Sequence, residues 1–234
     1  MTRAYLLVEG QTEETFVRDL LTPHYARMEL YLTPILVSTS PGHKGGLVSY
    51  AKVKPQIERL CKQDARAYVS TMFDLYRLPN DFPGQRSQQW SELRNGTDKA
   101  RLVENELARD INQRNFIPYI QVHEYEALLF VAPQHFANWT DDTEAVCQLQ
   151  AVRADHEPEE INDHPDTAPS KRIRAAMPQY QKTLHGPLIA CDIGLDALRA
   201  ACPHFAQWLR RLDELIASQK GSGRVEECSP RLRG

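Results

Sequence analysis

Acidic side chains occur just past the ends of three apolar runs in this sequence. These residues are Glu9, Asp74, Glu124 and Glu126. Short apolar runs are typical of buried strands, and the carboxyl ends of parallel strands share one edge of a sheet, so we expect these acids to converge. Converging carboxylates repel one another unless a cation lies between them. The expected cofactor is Mg²⁺, or Mn²⁺ in its place, because it takes hard oxygen ligands together with substrate phosphate.

Glu13 is a further candidate for this site, as a ligand or as a base. It lies in the first turn of a helix predicted to begin at Thr12. Side chains in a first turn point back towards the helix N-terminus, which here means towards Glu9. An alternative for Glu13 is compensation of the helix dipole. Alternatives also remain for Glu9, as a solvated turn residue, and for Asp74, as an Asx-turn residue.

Glu124 and Glu126 are two residues apart, which bears on whether both can reach the same site. They share a face only if the strand continues that far, whereas on a helix they lie about 200° apart. We therefore expect one of them to reach the sheet edge and the other to be solvated or to bind a cation through water. The adjacent His123 does not complete an H-E-x-x-H zinc motif, and a structural role is expected for it.

Lys171 is the leading candidate for a residue that contacts phosphate. It follows Pro169 and opens a predicted helix together with Arg172 and Arg174. Positive charge in a first helical turn opposes the helix dipole, which is a local cost. A lysine placed there can offset charge on a phosphate or a leaving group. The alternative is an ordinary solvated surface lysine.

The elements that position these residues alternate between strands and helices. Predicted strands cover Ala4–Val8, Pro34–Val37, Ala67–Phe73 and Phe116–Val122, with helical patterns following each of them. This alternation indicates β-α-β units and therefore an α/β fold with a mostly parallel sheet flanked by helices. After residue 132 the strand signals stop and short helices broken by prolines follow. We predict an α/β core over 1–132, a helical C-terminal extension over 133–219 and a disordered tail over 220–234.

Composition limits the class of protein. The 234 residues are 41% hydrophobic and 25% charged with a net charge of −3, so the protein as a whole is not a polyanion binder. The five cysteines are widely spaced without a C-x-x-C pair, which favours a reducing compartment. No apolar run is long enough to span a bilayer, and a strand begins too early to leave room for a signal peptide. We expect a cytoplasmic protein without a membrane partner.

Three segments resemble the acidic motifs of Toprim-like proteins. Toprim is the metal-binding fold of topoisomerases, primases and overcoming-lysogenization-defect nucleases. The segment Val8–Glu13 resembles the first motif, V-E-G-x-T-E. Phe73-Asp74 resembles the second motif, whose usual D-x-D is reduced here because position 76 is Tyr. The segment Glu126–Phe130 resembles the third acidic position.

The chain from Met1 to about Ile216 resembles, more closely, the bacterial family labelled domain of unknown function 4276. The matching stretches, in order, are Tyr5–Phe16, Met72–Gly84, Phe116–Phe130, Glu159–Arg172 and Gly186–Trp208. The resemblance implies a Toprim-like core with a helical C-terminal extension. It also implies frequent genomic pairing with an ATPase of the ABC/AAA type, often in phage-defence settings.

The resulting hypothesis is a Mg²⁺-dependent nuclease that hydrolyses DNA or RNA with an ATPase partner in phage defence. Its metal ligands are Glu9, Glu13, Asp74 and Glu126, and its catalytic residues are Glu13, Glu124 and Lys171. An alternative is a non-catalytic Toprim-like binding or regulatory subunit of an ATPase complex, which the single Asp of the second motif and the acidic net charge favour. A third option is phosphoryl or nucleotidyl transfer on a small molecule.

Overall fold

Parallel strands form the sheet on which the fold is built. The computed structural model describes residues 1–222 except 41, 42, 45, 48, 162, 163 and 165. Its strands are β1 (Thr2–Val8), β2 (Leu30–Leu36), β3 (Ser38–Ser40), β4 (His43–Lys44), β5 (Ala67–Asp74), β6 (Phe116–Ile117) and β7 (Ile120–Gln121). The sheet order is β2-β1-β5-β6, with β7 pairing β5 further along, and β3 and β4 form a separate antiparallel pair. All neighbours in the main sheet are parallel, so their carboxyl ends meet at one edge.

The last predicted strand, Phe116–Val122, forms two short ladders instead of one continuous strand. Pro118 lies between them and has no N–H to donate to a ladder. The Thr71 hydroxyl replaces the missing ladder bonds, because it accepts from the Tyr119 N–H and donates to the Tyr119 carbonyl, both at 2.9 Å. These side-chain hydrogen bonds keep the chain next to β5, so that β7 pairs with Phe73 and Asp74 at the carboxyl edge.

Helices cover both faces of the sheet. They are α1 (Gln11–Phe16), α2 (Thr22–Ala26), α3 (Tyr50–Gln63), α4 (Gln88–Glu92), α5 (Gly96–Ile111), α6 (Thr143–Asp155), α7 (Pro169–Ala176), α8 (Lys182–Ile193), α9 (Leu195–Ala201) and α10 (Pro203–Ser222). Three 3₁₀ segments span Tyr125–Val131, Pro133–Asn138 and Pro158–Glu160. Among the described residues, no helix is both long and apolar enough to cross a membrane.

The first helical segment changes its hydrogen-bonding pattern ahead of a proline. Residues Val17–Leu21 form a π-helix between α1 and α2, and Pro23 lies in the first turn of α2. Proline lacks an N–H for the helical ladder, so the turn before it is widened. The Thr22 hydroxyl donates to the Val17 carbonyl at 2.9 Å and caps part of this opening. The chain therefore passes from α-helix through a π-helical turn back to α-helix at Pro23.

The hydrophobic core has two parts, one on each face of the sheet. Along β1 the side chains alternate, so that Leu6 and Val8 pack on one face and Leu7 packs on the other. The first face is covered by α1, α2 and the C-terminal helices, and the second by α3 and α5. The C-terminal helices thus complete the core of the sheet, as the 2.9 Å hydrogen bond from Trp208 Nε1 to Ser70 Oγ shows.

The division of the chain at about residue 132 stays a proposal, since one hydrophobic cluster has members on both sides of that point. The last helix, α10, runs to Ser222, slightly past the predicted start of the tail at 220. Residues 223–234, which make up the rest of the predicted tail, lie outside the described part of the chain.

Candidate metal centre

Three acidic side chains surround the ammonium group of Lys182. Its Nζ lies 3.2 Å from Glu126 Oε2, 3.5 Å from Asp74 Oδ2 and 3.8 Å from Glu13 Oε1. Lys182 is the first residue of α8, while the acids come from α1, the end of β5 and the 3₁₀ turn after β7. The carboxyl edge of the sheet therefore brings together residues that are far apart in sequence.

Glu9 joins the same group from the end of β1. Its Oε2 accepts a hydrogen bond from the Asp74 N–H at 3.4 Å. Glu13 folds back over Gly10, where a Cβ would lie 3.1 Å from Glu13 Oε2, so the absence of a side chain at Gly10 leaves room for this carboxylate. Glu9, Glu13, Asp74 and Glu126 are called the carboxylate cluster below.

The orientation of Asp74 is fixed by the backbone around it. The Tyr125 N–H donates to Asp74 Oδ1 at 2.9 Å, which leaves Oδ2 directed at Lys182. Pairing with the β7 segment continues past Asp74, because the Tyr76 N–H donates to the His123 carbonyl at 2.7 Å. Asp74 therefore accepts its hydrogen bond from a residue 51 positions away and is not an Asx-turn residue.

Glu124 and Glu126 point to different partners, as their spacing predicted. Glu126 is fully buried, and neither of its carboxylate oxygens has a directed hydrogen bond, although Lys182 lies within ion-pair distance. Glu124 precedes the 3₁₀ turn in extended conformation and accepts from Ser170 N–H at 2.9 Å and Ser170 Oγ at 3.0 Å. Glu124 is 7% exposed, so solvation of the second acid is wrong, while its binding of a cation through water stays a prediction. Its carboxylate stabilises the N-terminus of α7 instead.

His123, which directly precedes Glu124, has a left-handed backbone conformation. Its φ of +60° lies in the left-handed region, which costs energy for a residue other than glycine or asparagine. The imidazole packs against Gly96, where a Cβ would lie only 2.7 Å from His123 Cε1. These features agree with a structural role for His123.

Burial and nearby carboxylates raise the pKa values of three carboxyl groups in the cluster. Burial, together with the Glu13 carboxylate, raises the pKa of Glu9 to about 7 despite the opposing charge of Lys182. Burial also raises the pKa of Asp74 well above its usual value, while Lys182 opposes this effect and Glu13 and Glu9 reinforce it. The pKa of Glu126 is raised by burial as well, again against Lys182.

The Lys182 ammonium group responds in the opposite direction. Burial lowers its pKa, but the Asp74 and Glu126 carboxylates outweigh burial and raise the pKa of Lys182 overall. Lys182 therefore stays protonated at neutral pH. One ammonium stands against four carboxylates, so an added cation would stabilise the cluster.

The chemistry of these ligands fits a divalent cation, but their spacing is that of an ion-pair network. Among the described residues, no three His, Cys, Asp or Glu side chains form a group close enough to enclose a metal ion. The cluster supplies hard carboxylate oxygens, and Glu126 Oε1 is buried without a hydrogen-bond donor, although Lys182 lies 3.2 Å from Oε2. Glu9, Glu13, Asp74 and Glu126 are thus the residues that would hold it.

Lys171 and Tyr76 are the two remaining positions that the sequence singled out. Lys171 is exposed on α7 and forms no ion pair with any residue that the structure describes. Tyr76 stands where the second acid of a D-x-D motif would be, and its buried hydroxyl has no hydrogen-bond partner in the described part of the protein. The phenol is neutral and offers the cluster no additional charge.

Lys182 was missed by sequence reasoning, although a signal for it existed. It opens α8 with positive charge at a helix N-terminus, the same unfavourable placement that singled out Lys171. The sequence predicts no helix start at Gln181–His185, and for this reason the pattern alone does not point to Lys182.

Comparison with known proteins bears on the family and the fold of this chain. A family model described as domain of unknown function (DUF4276) matches residues 8–213. No curated protein matches the chain. The C-terminal region of the Burkholderia pseudomallei OLD protein has a TM-score of 0.50 at 12% identity, over 92% of this chain and 99% of that chain. The C-terminal region of the Xanthomonas campestris pv. campestris OLD protein has a TM-score of 0.44 at 15% identity, over 94% and 98%. The first of these likenesses supports the expected Toprim-like fold.

Proposed function

This chain belongs to the family described as domain of unknown function (DUF4276), and we propose that it is a divalent-metal-dependent nuclease that hydrolyses phosphodiester bonds of DNA or RNA. The observation that carries the proposal is the convergence of Glu9, Glu13, Asp74 and Glu126 at the carboxyl edge of a parallel sheet, with one ammonium group to offset them. Ligand sites of open α/β sheets form at this edge.

Each residue has a distinct task in this proposal. Glu9, Glu13, Asp74 and Glu126 hold Mg²⁺ or Mn²⁺, and Glu13 is also a candidate base. When bound, the metal would activate a water molecule and stabilise the leaving oxygen. Glu124 acts through Ser170, because its two hydrogen bonds anchor the start of α7, from which Lys171 extends into solvent. Lys171 would offset the charge of a substrate phosphate there.

A partner is part of the proposal. The net charge of −3 gives the chain little general attraction for nucleic acid. The resemblance stated above suggests an ABC/AAA-type ATPase encoded nearby and a role in phage defence. Such a partner would supply the basic surface that holds the substrate.

A non-catalytic regulatory subunit is the second candidate function, and two observations favour it. Tyr76 replaces the second acid of the motif, and the Lys182 ammonium lies among the acids that would bind metal. In that case Lys182 serves as the structural counter-ion and no metal is needed.

A cleavage assay tests the proposal. Purified protein, alone and with the neighbouring ATPase, is incubated with single- and double-stranded DNA and RNA in Mg²⁺ or Mn²⁺. We expect metal-dependent cleavage that falls by at least about 100-fold in Glu9→Gln, as for loss of a group acting on the transition state. Glu14→Gln is the matched control, since Glu14 lies in the same first turn of α1 but outside the cluster. Equal cleavage by Glu9→Gln and wild type would refute the metal site, and no cleavage under any condition would favour the regulatory subunit.

A further inference from the structure

We infer that the Lys182 ammonium permanently fills one of two cation positions in the carboxylate cluster, so that the protein binds a single divalent cation, displaced towards Glu9 and Glu13, with Asp74 and Glu126 shared between this cation and Lys182. This inference rests on the proposed function and specifies how many metal ions the site takes. It follows from the way the oxygen atoms of the cluster are divided between two sides.

The first side is defined by the oxygens that face Lys182. Glu126 Oε2 and Asp74 Oδ2 lie 3.2 and 3.5 Å from its Nζ. Asp74 Oδ1 is already used as the acceptor for the Tyr125 N–H. A second divalent cation on this side would have to lie directly beside the Lys182 ammonium, which electrostatic repulsion disfavours.

The second side is defined by Glu9 and the far oxygen of Glu13. Glu13 Oε1 faces Lys182 at 3.8 Å, whereas its Oε2 lies over Gly10, the residue next to Glu9. Within the described residues, no lysine or arginine forms an ion pair with Glu9. Uncompensated carboxylate charge therefore remains on this side, where a divalent cation would be stabilised.

The position of Lys182 is set by the packing of α8. This helix packs on α1 and on the turn after β7 through Gly186, where a Cβ would lie 3.2 Å from Tyr125 Cε1 and 3.4 Å from Thr12 Cγ2. The Tyr125 hydroxyl donates to the Gly186 carbonyl at 3.2 Å and holds the helix at this distance. The base of the Lys182 side chain is thus fixed one turn from a close helix contact.

Tyr76, which stands in place of an acid, also favours a single divalent cation. Each additional divalent cation needs oxygen ligands and negative charge, and Tyr76 provides a neutral phenol where a second aspartate would add both. The candidate centre thus lacks the second acid of a D-x-D motif and contains a lysine among its remaining acids, and both features reduce the number of metal ions that it can hold.

Counting bound Mn²⁺ tests the inference. Titration of the 234-residue chain is followed by calorimetry and by the electron paramagnetic resonance signal of free Mn²⁺. We expect one Mn²⁺ per wild-type chain. Lys182→Met removes the charge and should bind two Mn²⁺, or one with at least about tenfold lower Kd. Lys182→Arg keeps the charge and should bind one, and Lys62→Met, which removes an exposed lysine paired with Glu58, should match wild type.

The outcomes separate this inference from the proposed function. Two Mn²⁺ per wild-type chain, or two in Lys182→Arg, would overturn the inference while leaving a metal site in place. One Mn²⁺ with unchanged Kd in a folded Lys182→Met would overturn it too. If circular dichroism shows that Lys182→Met does not fold, the counts for wild type and Lys182→Arg decide. Absence of Mn²⁺ binding by wild type would refute the metal-dependent nuclease itself, and the inference with it.

Discussion

Lys182 and Glu126 form the closest ion pair of the carboxylate cluster, with 3.2 Å between Nζ and Oε2, and Glu126 is completely buried. The pair joins the first turn of α8 to the 3₁₀ turn that follows β7. A buried carboxylate that loses its cation must either take up a proton or disturb the surrounding structure. This relationship makes the C-terminal helices part of the candidate centre.

Lys182→Met should destabilise the metal-free protein. Breaking a fully buried ion pair costs about 3–5 kcal/mol, and because 30% of the Lys182 side chain is exposed we expect a loss of about 2 kcal/mol in the free energy of unfolding. Urea unfolding in the presence of a chelator measures this change. Lys62→Met is the control, since it removes an exposed charge and should change the free energy of unfolding by less than about 0.5 kcal/mol. Equal stabilities of the two variants would show that Lys182 does not compensate buried charge.

Glu9→Gln should change how metal-free stability depends on pH. The pKa of Glu9 is about 7 in the folded protein against 4.5 in the reference state, so the folded state binds more protons in this window. Its contribution to stability is therefore present below about pH 4.5 and is lost as the pH rises through 7. At pH 8 the glutamine variant should be more stable than wild type by on the order of 1 kcal/mol.

The measurement for Glu9→Gln is a series of urea unfolding curves from pH 5 to pH 8 in a chelator, with Glu14→Gln as the control. Saturating Mn²⁺ should make wild type more stable than the glutamine variant at pH 8, because only the wild-type carboxylate binds the cation strongly. A glutamine variant that is less stable than wild type at every pH would instead assign Glu9 a structural hydrogen-bonding role.

Glu126→Gln and Glu124→Gln should separate catalysis from helix anchoring. Loss of a metal ligand at Glu126 should lower the cleavage rate by about 100-fold or more. Glu124→Gln keeps one acceptor for Ser170 but loses its charge, so stability should fall by about 1–2 kcal/mol while most activity remains. Cleavage rates under saturating Mg²⁺, paired with thermal unfolding, check both. Full activity of Glu126→Gln together with an inactive but folded Glu124→Gln would reverse the assignment.

Gly10→Ala should weaken metal binding without straining the backbone. The φ of Gly10 is −149°, which alanine adopts freely, but the new Cβ would lie 3.1 Å from Glu13 Oε2. We expect Glu13 to be displaced and the Kd for Mn²⁺ to rise by about tenfold, which corresponds to about 1.4 kcal/mol. Calorimetry measures the Kd. In Glu13→Gln the added methyl group should have little further effect, since both changes act on the same carboxylate. Fully additive losses would mean that Gly10 acts through another residue.

The local sequence alone was enough to locate the acids on the fold. Apolar runs that end in Glu9 and Asp74 define strands, and alternation with helices makes the strands parallel, which brings both residues to one edge. These inferences succeed because side-chain periodicity and strand ends are properties of neighbouring residues. The 200° argument for Glu124 and Glu126 does not apply in this form, because Glu124 precedes the 3₁₀ turn in extended conformation. The assignment of chemical roles to these residues stays a prediction.

Only the tertiary structure decided which cation and which hydroxyl meet these acids. Lys182 is 108 residues from Asp74 in the chain, and Ser170 is 46 residues from Glu124. Their positions depend on how α7 and α8 pack against α1 and the 3₁₀ turn, which is settled by complementarity across the whole hydrophobic core. Local patterns along a single sequence carry no record of such long-range contacts. The sequence by itself therefore determined where negative charge gathers, and the packing of distant helices decided how much of that charge the protein compensates with its own lysine.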